Sequence, residues 1–231
     1  MSTITRLEER IHAVREQVAE AARDGGRDPG EVTLIAVSKT FPREDIEAAY
    51  DLGVRHFGEN RVQEAQEKVS APLPDDATLH LIGHLQSNKA KFVPGLFDTV
   101  DSVDRSSIID ALDKAVAKAD GTLNVLLQVN IAGEEQKAGC APDEAPALIE
   151  QIAATGTLAP RGLMTIAPID ATGDDLHAIF LGLGTLRDDL QAQFPHLDLR
   201  ELSMGMSNDY REAIAEGATQ VRIGRAIFGE R

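Results

Sequence analysis

The sequence predicts one closed (β/α)8 TIM barrel filling residues 1–231 as a single domain, and three observations carry that expectation. Eight short apolar strand candidates alternate with helix candidates, the pattern of a parallel sheet covered by helices. Each strand candidate ends in a polar group or a glycine, as the carboxyl ends of barrel strands do. The length, 231 residues, suits one barrel and is large for two independent domains. An open, doubly wound sheet is the alternative topology.

The elements follow in order. MSTITRLEERIHAVREQ is an amphipathic helix with Ile4, Leu7, Ile11, Val14 and Val18 at helical spacing. DGGRDPG breaks it, and VTLIAVSK reads as a buried strand. The helix REDIEAAYDLG leads to VRHFGEN, and the helix VQEAQEKV leads to LHLIGHL. A short helical stretch through Lys89 precedes FDTVDSVD, and RSSIIDALDKAVAKA precedes TLNVLLQVN. PDEAPALIEQIAATG is followed by LAPRGLMTI, and a long helix from Asp174 to Phe194 by LDLRELSMG. A helix from Ser207 to Glu216 and the strand TQVRIG complete the series, with no linker, repeat or low-complexity segment.

Composition narrows the function classes. Hydrophobic residues at 42% and charged residues at 26% are the balance of an ordinary protein with a sizeable core. A net charge of -15 repels phosphate backbones and anionic headgroups, which argues against nucleic acid and membrane surfaces as partners. A small anionic ligand stays open, because a few local donors outweigh a remote field at close range. The chain carries neither an apolar signal-peptide centre nor a run long enough to span a bilayer, so the cytoplasm is the expected address. Cys140, the only cysteine, permits no internal disulfide and no cysteine metal cluster, and reads as a free thiol in a reducing compartment. No metal site is expected from the six histidines. His80 and His84 are four apart but flank a strand, so they do not converge, and His12, His177 and His196 read as surface residues on or beside helices. Neither a serine–histidine–aspartate grouping nor a glycine-rich nucleotide fingerprint is present.

Three features at strand ends could carry chemistry. Alternation puts Thr33, Ile35, Val37 and Lys39 on one face of the first strand. A lysine at a barrel mouth, partly desolvated, can attack a carbonyl; the plain alternative is a solvated lysine closing a strand. SMGMSND and RIGRAIFG end the seventh and eighth strands, where barrels commonly cradle phosphate. Ser207 suits the N-cap of a helix beginning at Asn208, and Gly205 and Gly224 would let a phosphate approach the backbone. As plain structure these are a cap and two turn glycines. Arg222 lies within the apolar strand TQVRIG, sharing a face with Gln220 and Gly224. A buried arginine needs a ligand or a core salt bridge.

With AVSKTFP, HFGENRVQE, HLIGHLQSNK, NVLLQVNI, RGLMTI, LSMGMSND and VRIGRAIFG in this order, the chain closely resembles the YggS/PROSC family of pyridoxal phosphate homeostasis proteins over essentially its whole length. The resemblance implies a barrel like the N-terminal domain of alanine racemase, the type III fold of pyridoxal phosphate proteins. It implies pyridoxal 5'-phosphate as a Schiff base on Lys39, phosphate contacts from Ser207 and Gly224, and Arg222 facing the pyridine nitrogen. Asn60 and Ser203 also line the family's pocket. The position after RIG is often a small hydroxyl residue in the family, whereas here it is Arg225, which leaves its backbone amide as the phosphate contact.

The function implied is a monomeric carrier that buffers pyridoxal phosphate and passes it to apo-enzymes through transient contact, with no catalytic residue. The competing class is an amino-acid racemase or decarboxylase. Racemisation needs two bases on opposite faces of a substrate carbon. In alanine racemase the second is a tyrosine from a β-rich domain; this sequence ends at Arg231, and Tyr50 and Tyr210 fall on predicted helices. A Schiff-base aldolase without cofactor would leave Arg222 unexplained.

Overall fold

Short apolar runs, punctuated by glycine and polar breaks, form parallel strands in the computed structural model, which describes residues 3–69, 71–134 and 137–229. They are β1 (Thr33–Val37), β2 (His56–Glu59), β3 (Thr78–Leu81), β4 (Thr99–Val103), β5 (Leu123–Gln128), β6 (Leu158–Met164), β7 (Glu201–Met206) and β8 (Gln220–Ile223). Each strand pairs with the next, and β8 returns to β1, with Leu34 opposite Val221 and Ile35 opposite Arg222. The sheet is therefore the closed barrel rather than the open alternative, and closure leaves no unpaired sheet edge. Arg231 and the side chain of Ile4 lie outside the described residues.

Helices α1 (Thr3–Asp24), α2 (Arg43–Asp51), α3 (Val62–Lys68), α4 (Ser106–Lys118), α5 (Ala145–Thr155), α6 (Asp174–Gln193), α7 (Tyr210–Ala215) and α8 (Arg225–Phe228) surround the strands. The predicted face of α1 buries Leu7, Ile11, Val14 and Val18, and the helix packs on α2, α7 and α8. The stretch through Lys89 is a 3-10 helix, Ser87–Phe92. The predicted helix start at Ser207 is corrected. Residues 207–209 form a turn, and the helix begins at Tyr210 with Asp209 at its N-cap. The Asp209 carboxylate accepts from the Met206 amide, which holds this turn and displaces Ser207 from the capping position.

Two apolar layers result from strand alternation. One face of each strand packs against helices, with Ala36, Phe57, Leu79 and Leu81 meeting Ile46, Ala49 and Ala65. Ile35, Ile82, Leu126 and Met164 are buried apart from that cluster. Alongside them lie the buried polar side chains His80, Asp101, Ser203 and Arg222. Polar groups in such a place must be hydrogen-bonded or charge-balanced, so their partners bear on function.

Candidate functional site

Lys39 stands two residues beyond the end of β1, at the carboxyl-end rim of the barrel. It is exposed, so the partial desolvation expected of it is not seen. The reason is local: the strand has ended, and Thr40 turns the chain outward with φ of 69°. The backbone around Lys39 is nevertheless clamped. Lys68 of α3 donates to the Ser38 carbonyl at 2.9 Å, and the Thr40 amide donates to the Glu64 carboxylate. Lys68 also bonds both oxygens of Glu59 at 2.9 and 3.1 Å and pairs with Glu64 at 2.7 Å. The Ser38 hydroxyl donates to Glu59 Oε1 at 2.7 Å.

Burial pushes the Glu59 carboxyl above the usual range, against the pull of Ser38 and Lys68. Burial acts the same way on Glu64, but there the Lys68 and Thr40 hydrogen bonds win and hold it below its ordinary value. One ammonium thus joins the ends of β1 and β2 to α3. In the sequence Glu59 is only one polar residue at a strand end, and nothing singles out Lys68. The signal was faint: an i, i+4 Glu64–Lys68 pair on a helix, which on a surface means little.

Gly224 and Arg225 share with Lys39, Thr40 and Phe41 a cavity of about 300 Å3. A Cβ at Gly224 would stand 3.2 Å from the Val37 carbonyl oxygen, so glycine permits the close approach of β8 to β1. Arg225 opens α8 with its side chain exposed. First-turn amides have no acceptor within their own helix, which leaves that amide available to an anion. Arg10 of α1 donates to the Phe228 carbonyl at 3.2 Å, and Phe41 stacks on Phe228 with centroids 5.1 Å apart, fixing this turn.

Ser207 lies in the turn after β7, half-buried. Gly205 has a packing role that the sequence does not announce. Its φ is 90°, and a Cβ there would fall 2.6 Å from the Ala213 side chain and 2.9 Å from Tyr210 Cα. Glycine is demanded there by the packing of α7, whatever else the turn admits. Asn60 follows β2 at the rim, where Gly83 allows the next turn to touch its backbone; a Cβ at Gly83 would sit 2.3 Å from the Asn60 carbonyl oxygen.

Arg222 is 4% exposed. Its Nη1 donates to Ser203 Oγ and its Nη2 to the Thr165 carbonyl, both at 2.8 Å. Among the described residues it forms no salt bridge, so the core-ion-pair alternative fails. Burial lowers its pKa to about 10, opposed by the fields of Asp101 and Asp209. It remains a cation at neutral pH, one residue pair below Gly224 on the same face of β8. Ser203, fully buried, sits against it as a supporting acceptor.

Cys140 is a free, buried thiol pushed up to about 12 by burial and by nearby carboxylates, first Glu144, which makes it a poor nucleophile at neutral pH. Among the described residues no group of three histidine, cysteine, aspartate or glutamate side chains could hold a metal ion. No helix among them is long and apolar enough to cross a membrane.

A closed parallel barrel with a lysine just past its first strand and a glycine–arginine turn beside it after its eighth defines a class: the chain belongs to the alanine racemase N-terminal domain family, which matches residues 11–231. Over its full length it is 45% identical to the pyridoxal phosphate homeostasis protein of Pseudomonas aeruginosa, with 100% of this chain and 97% of that protein aligned. PipY of Synechococcus elongatus, solved with PLP bound, superposes with a TM-score of 0.84 at 41% identity, covering 96% of this chain and 100% of that one. Alanine racemase of Streptomyces coelicolor shares the fold, with a TM-score of 0.73 at 19% identity, and the match covers 59% of its longer chain.

Proposed function

We propose that this chain binds pyridoxal 5'-phosphate on Lys39, buffers it, and delivers it to apo-enzymes without reacting on a second substrate. The observation that carries this reading is Arg222: a buried cation with only neutral hydrogen-bond partners, beneath a mouth that presents a primary amine and an open amide. The donor set fits the cofactor. The Lys39 amine can take up its aldehyde, the Arg225 amide, Gly224 and the Ser207 hydroxyl can receive its phosphate, and Arg222 can donate to its ring nitrogen. Asn60 stands at the same rim, and Ser203 holds Arg222 in place.

The cofactor supplies a reversible carbonyl and a conjugated ring. The protein's part is to orient and to retain. The clamp of Lys68 and Glu64 on either side of Lys39 fixes the backbone from which the amine is presented at the mouth. Arginine stays protonated and can only donate, so it cannot pass a proton to the ring nitrogen. A ring left unprotonated is a weaker electron sink, which suits storage better than turnover. The tyrosines support the same reading: Tyr50 Oη donates to Asp76, and Tyr210 Oη donates to Gln17 of α1, so both hydroxyls are committed on the helix side of the barrel. We take the carrier to be one domain over residues 1–231, monomeric and cytoplasmic, meeting apo-enzymes only transiently and neither nucleic acid nor membranes.

Borohydride reduction followed by peptide mass mapping tests attachment. A phosphopyridoxyl adduct on Lys39 is expected, and an adduct on Lys89, Lys91 or Lys137 in its place would refute the assignment. Chiral chromatography with common amino acids should find no turnover beyond that of free cofactor. Turnover exceeding stoichiometry and lost in Lys39→Ala would make the protein an enzyme.

A further inference from the structure

The turns after β2 and β3 touch at the carboxyl-end rim of the barrel. Gly83 permits the contact, since a Cβ there would stand 2.3 Å from the Asn60 carbonyl oxygen and 2.8 Å from its Cα. Beside it the two turns enclose a cavity of about 440 Å3, a size that takes a small molecule. Its wall is fixed from the next strand and turn. The Ser102 hydroxyl donates to the Gly83 carbonyl at 2.7 Å, and Arg105 Nη2 donates to the Leu85 carbonyl at 3.1 Å. Val62 and Leu85, both buried, supply an apolar floor.

The polar lining has one sign. Arg61, His84 and Lys89 line the cavity with the carboxamides of Gln63 and Gln86, and among the described residues no carboxylate does. The chain carries 38 acidic against 23 basic residues, so a lining with three basic side chains and no acidic one runs against its composition. Two of the cations are uncommitted. Among the described residues Arg61 makes no ion pair and no side-chain hydrogen bond, and Lys89 meets only the Phe92 ring, 6.0 Å from its ammonium. The neighbouring carboxylates are engaged elsewhere. Glu64, whose field reaches Arg61, is held by Lys68 and the Thr40 amide, and Asp104 pairs with Arg105 and, at 3.7 Å, with His84. A cavity of about 350 Å3 at the amino-terminal end of the barrel also presents two guanidinium groups, but those are occupied. Arg15 donates to the Leu52 carbonyl, and Arg55 to Asp76 and the Tyr50 carbonyl.

We propose that the cavity between the β2 and β3 turns is an anion site separate from the Lys39 mouth, and that it takes a phosphomonoester of a small, partly apolar molecule. A phosphate offers several oxygens to a guanidinium, an ammonium and an imidazole arriving from two turns, and charge-assisted hydrogen bonds of this kind are the strong ones. The amides of Gln63 and Gln86 can donate to the oxygens left over. The floor of Val62 and Leu85 receives the organic part, which inorganic phosphate lacks. No residue is shared with the cavity at Lys39, Gly224 and Arg225, so the two sites can be tested separately.

Phenyl phosphate and inorganic phosphate, titrated into the 15N-labelled protein, are the probes. Saturable shifts are expected at the Arg61 Nε–H and at the backbone amides of His84 and Lys89, with phenyl phosphate at least about tenfold the tighter ligand because its ring buries apolar surface. Arg61→Gln should weaken phenyl phosphate about threefold, and Arg61→Gln with Lys89→Gln about tenfold, while the amides of Gly224 and Arg225 keep their wild-type shifts. Arg61 is exposed, so the single variant carries the test if the double variant is unstable. Shifts confined to the Gly224–Arg225 turn, or no saturation at the cavity below about 10 mM phenyl phosphate, overturn the inference. An affinity unchanged in both variants overturns it as well. Equal affinity for the two probes removes the organic ester as the ligand.

Discussion

Arg222 donates to a hydroxyl on β7 and a carbonyl just past β6, and this pairing decides what its substitution does. Alternation in TQVRIG was enough to face it inward with Gln220 and Gly224. Its partners, 19 and 57 residues away, were beyond any local pattern. Arg222→Glu would place a carboxylate among acceptors and near Asp101, so we expect cofactor retention at least about tenfold weaker and an altered visible spectrum. Unaltered affinity and spectrum in a titration would reduce Arg222 to a structural role. Lys39 is the opposite case, exposed and free of packing. Lys39→Ala should abolish the borohydride adduct and change unfolding free energy by no more than about 0.5 kcal/mol in urea titrations. The histidines mark a limit of reading along the chain. His80 and His84 were compared because they are four apart, whereas His80 meets His56 across neighbouring strands. Alternation within VRHFGEN and LHLIGHL held that signal, but only cross-strand register brings the rings together.

The α3 helix has seven residues and owes its place to what it grips. Lys68 is 10% exposed at its side chain and Glu59 not at all, so the pair belongs to the interior rather than to the surface. Lys68→Met would strand a buried carboxylate, and such losses cost about 3 kcal/mol. The same variant frees the Ser38 carbonyl beside Lys39, so weaker cofactor retention should accompany the loss of stability in urea melts. Adding Glu59→Gln should restore part of the stability but not the lost tie to Ser38. The start of α7 was misplaced by three residues for a related reason. SND offers three capping side chains in a row; Asp209 takes the N-cap position, yet its carboxylate reaches back to the Met206 amide and makes no capping bond to the helix. Gly205 belongs to that same element: nothing in SMGMSND announces that a Cβ there would meet Ala213.

The order of all eight strands was legible, because each apolar run is short and bounded. Closure was legible only by count, since the pairing of Leu34 with Val221 joins opposite ends of the chain. The polar barrel interior has a consequence for the whole molecule's stability. His56 titrates near 4 when folded and 6.5 when unfolded, because burial disfavours its charged form. Between those values the unfolded chain binds more protons, so this contribution is complete above pH 6.5 and is lost as pH falls toward 4. Its size is at most about 3 kcal/mol. Glu64, held low, acts with the same sign at lower pH; Glu59, held high, favours the folded state at the acid end and loses that contribution as pH rises. Urea midpoints should therefore fall between pH 7 and pH 5, and His56→Leu should flatten that slope.

The closed ring of strands also imposes an order in time. Lys39 leaves the ribosome early, whereas Arg222, Gly224 and Arg225 are among the last residues synthesised. A nascent chain lacking β8 has the amine but neither the cation nor the turn that would keep a phosphate beside it. On the function proposed above, cofactor capture follows synthesis, and a stalled chain ending before Gln220 should retain no visible chromophore once free pyridoxal phosphate is removed.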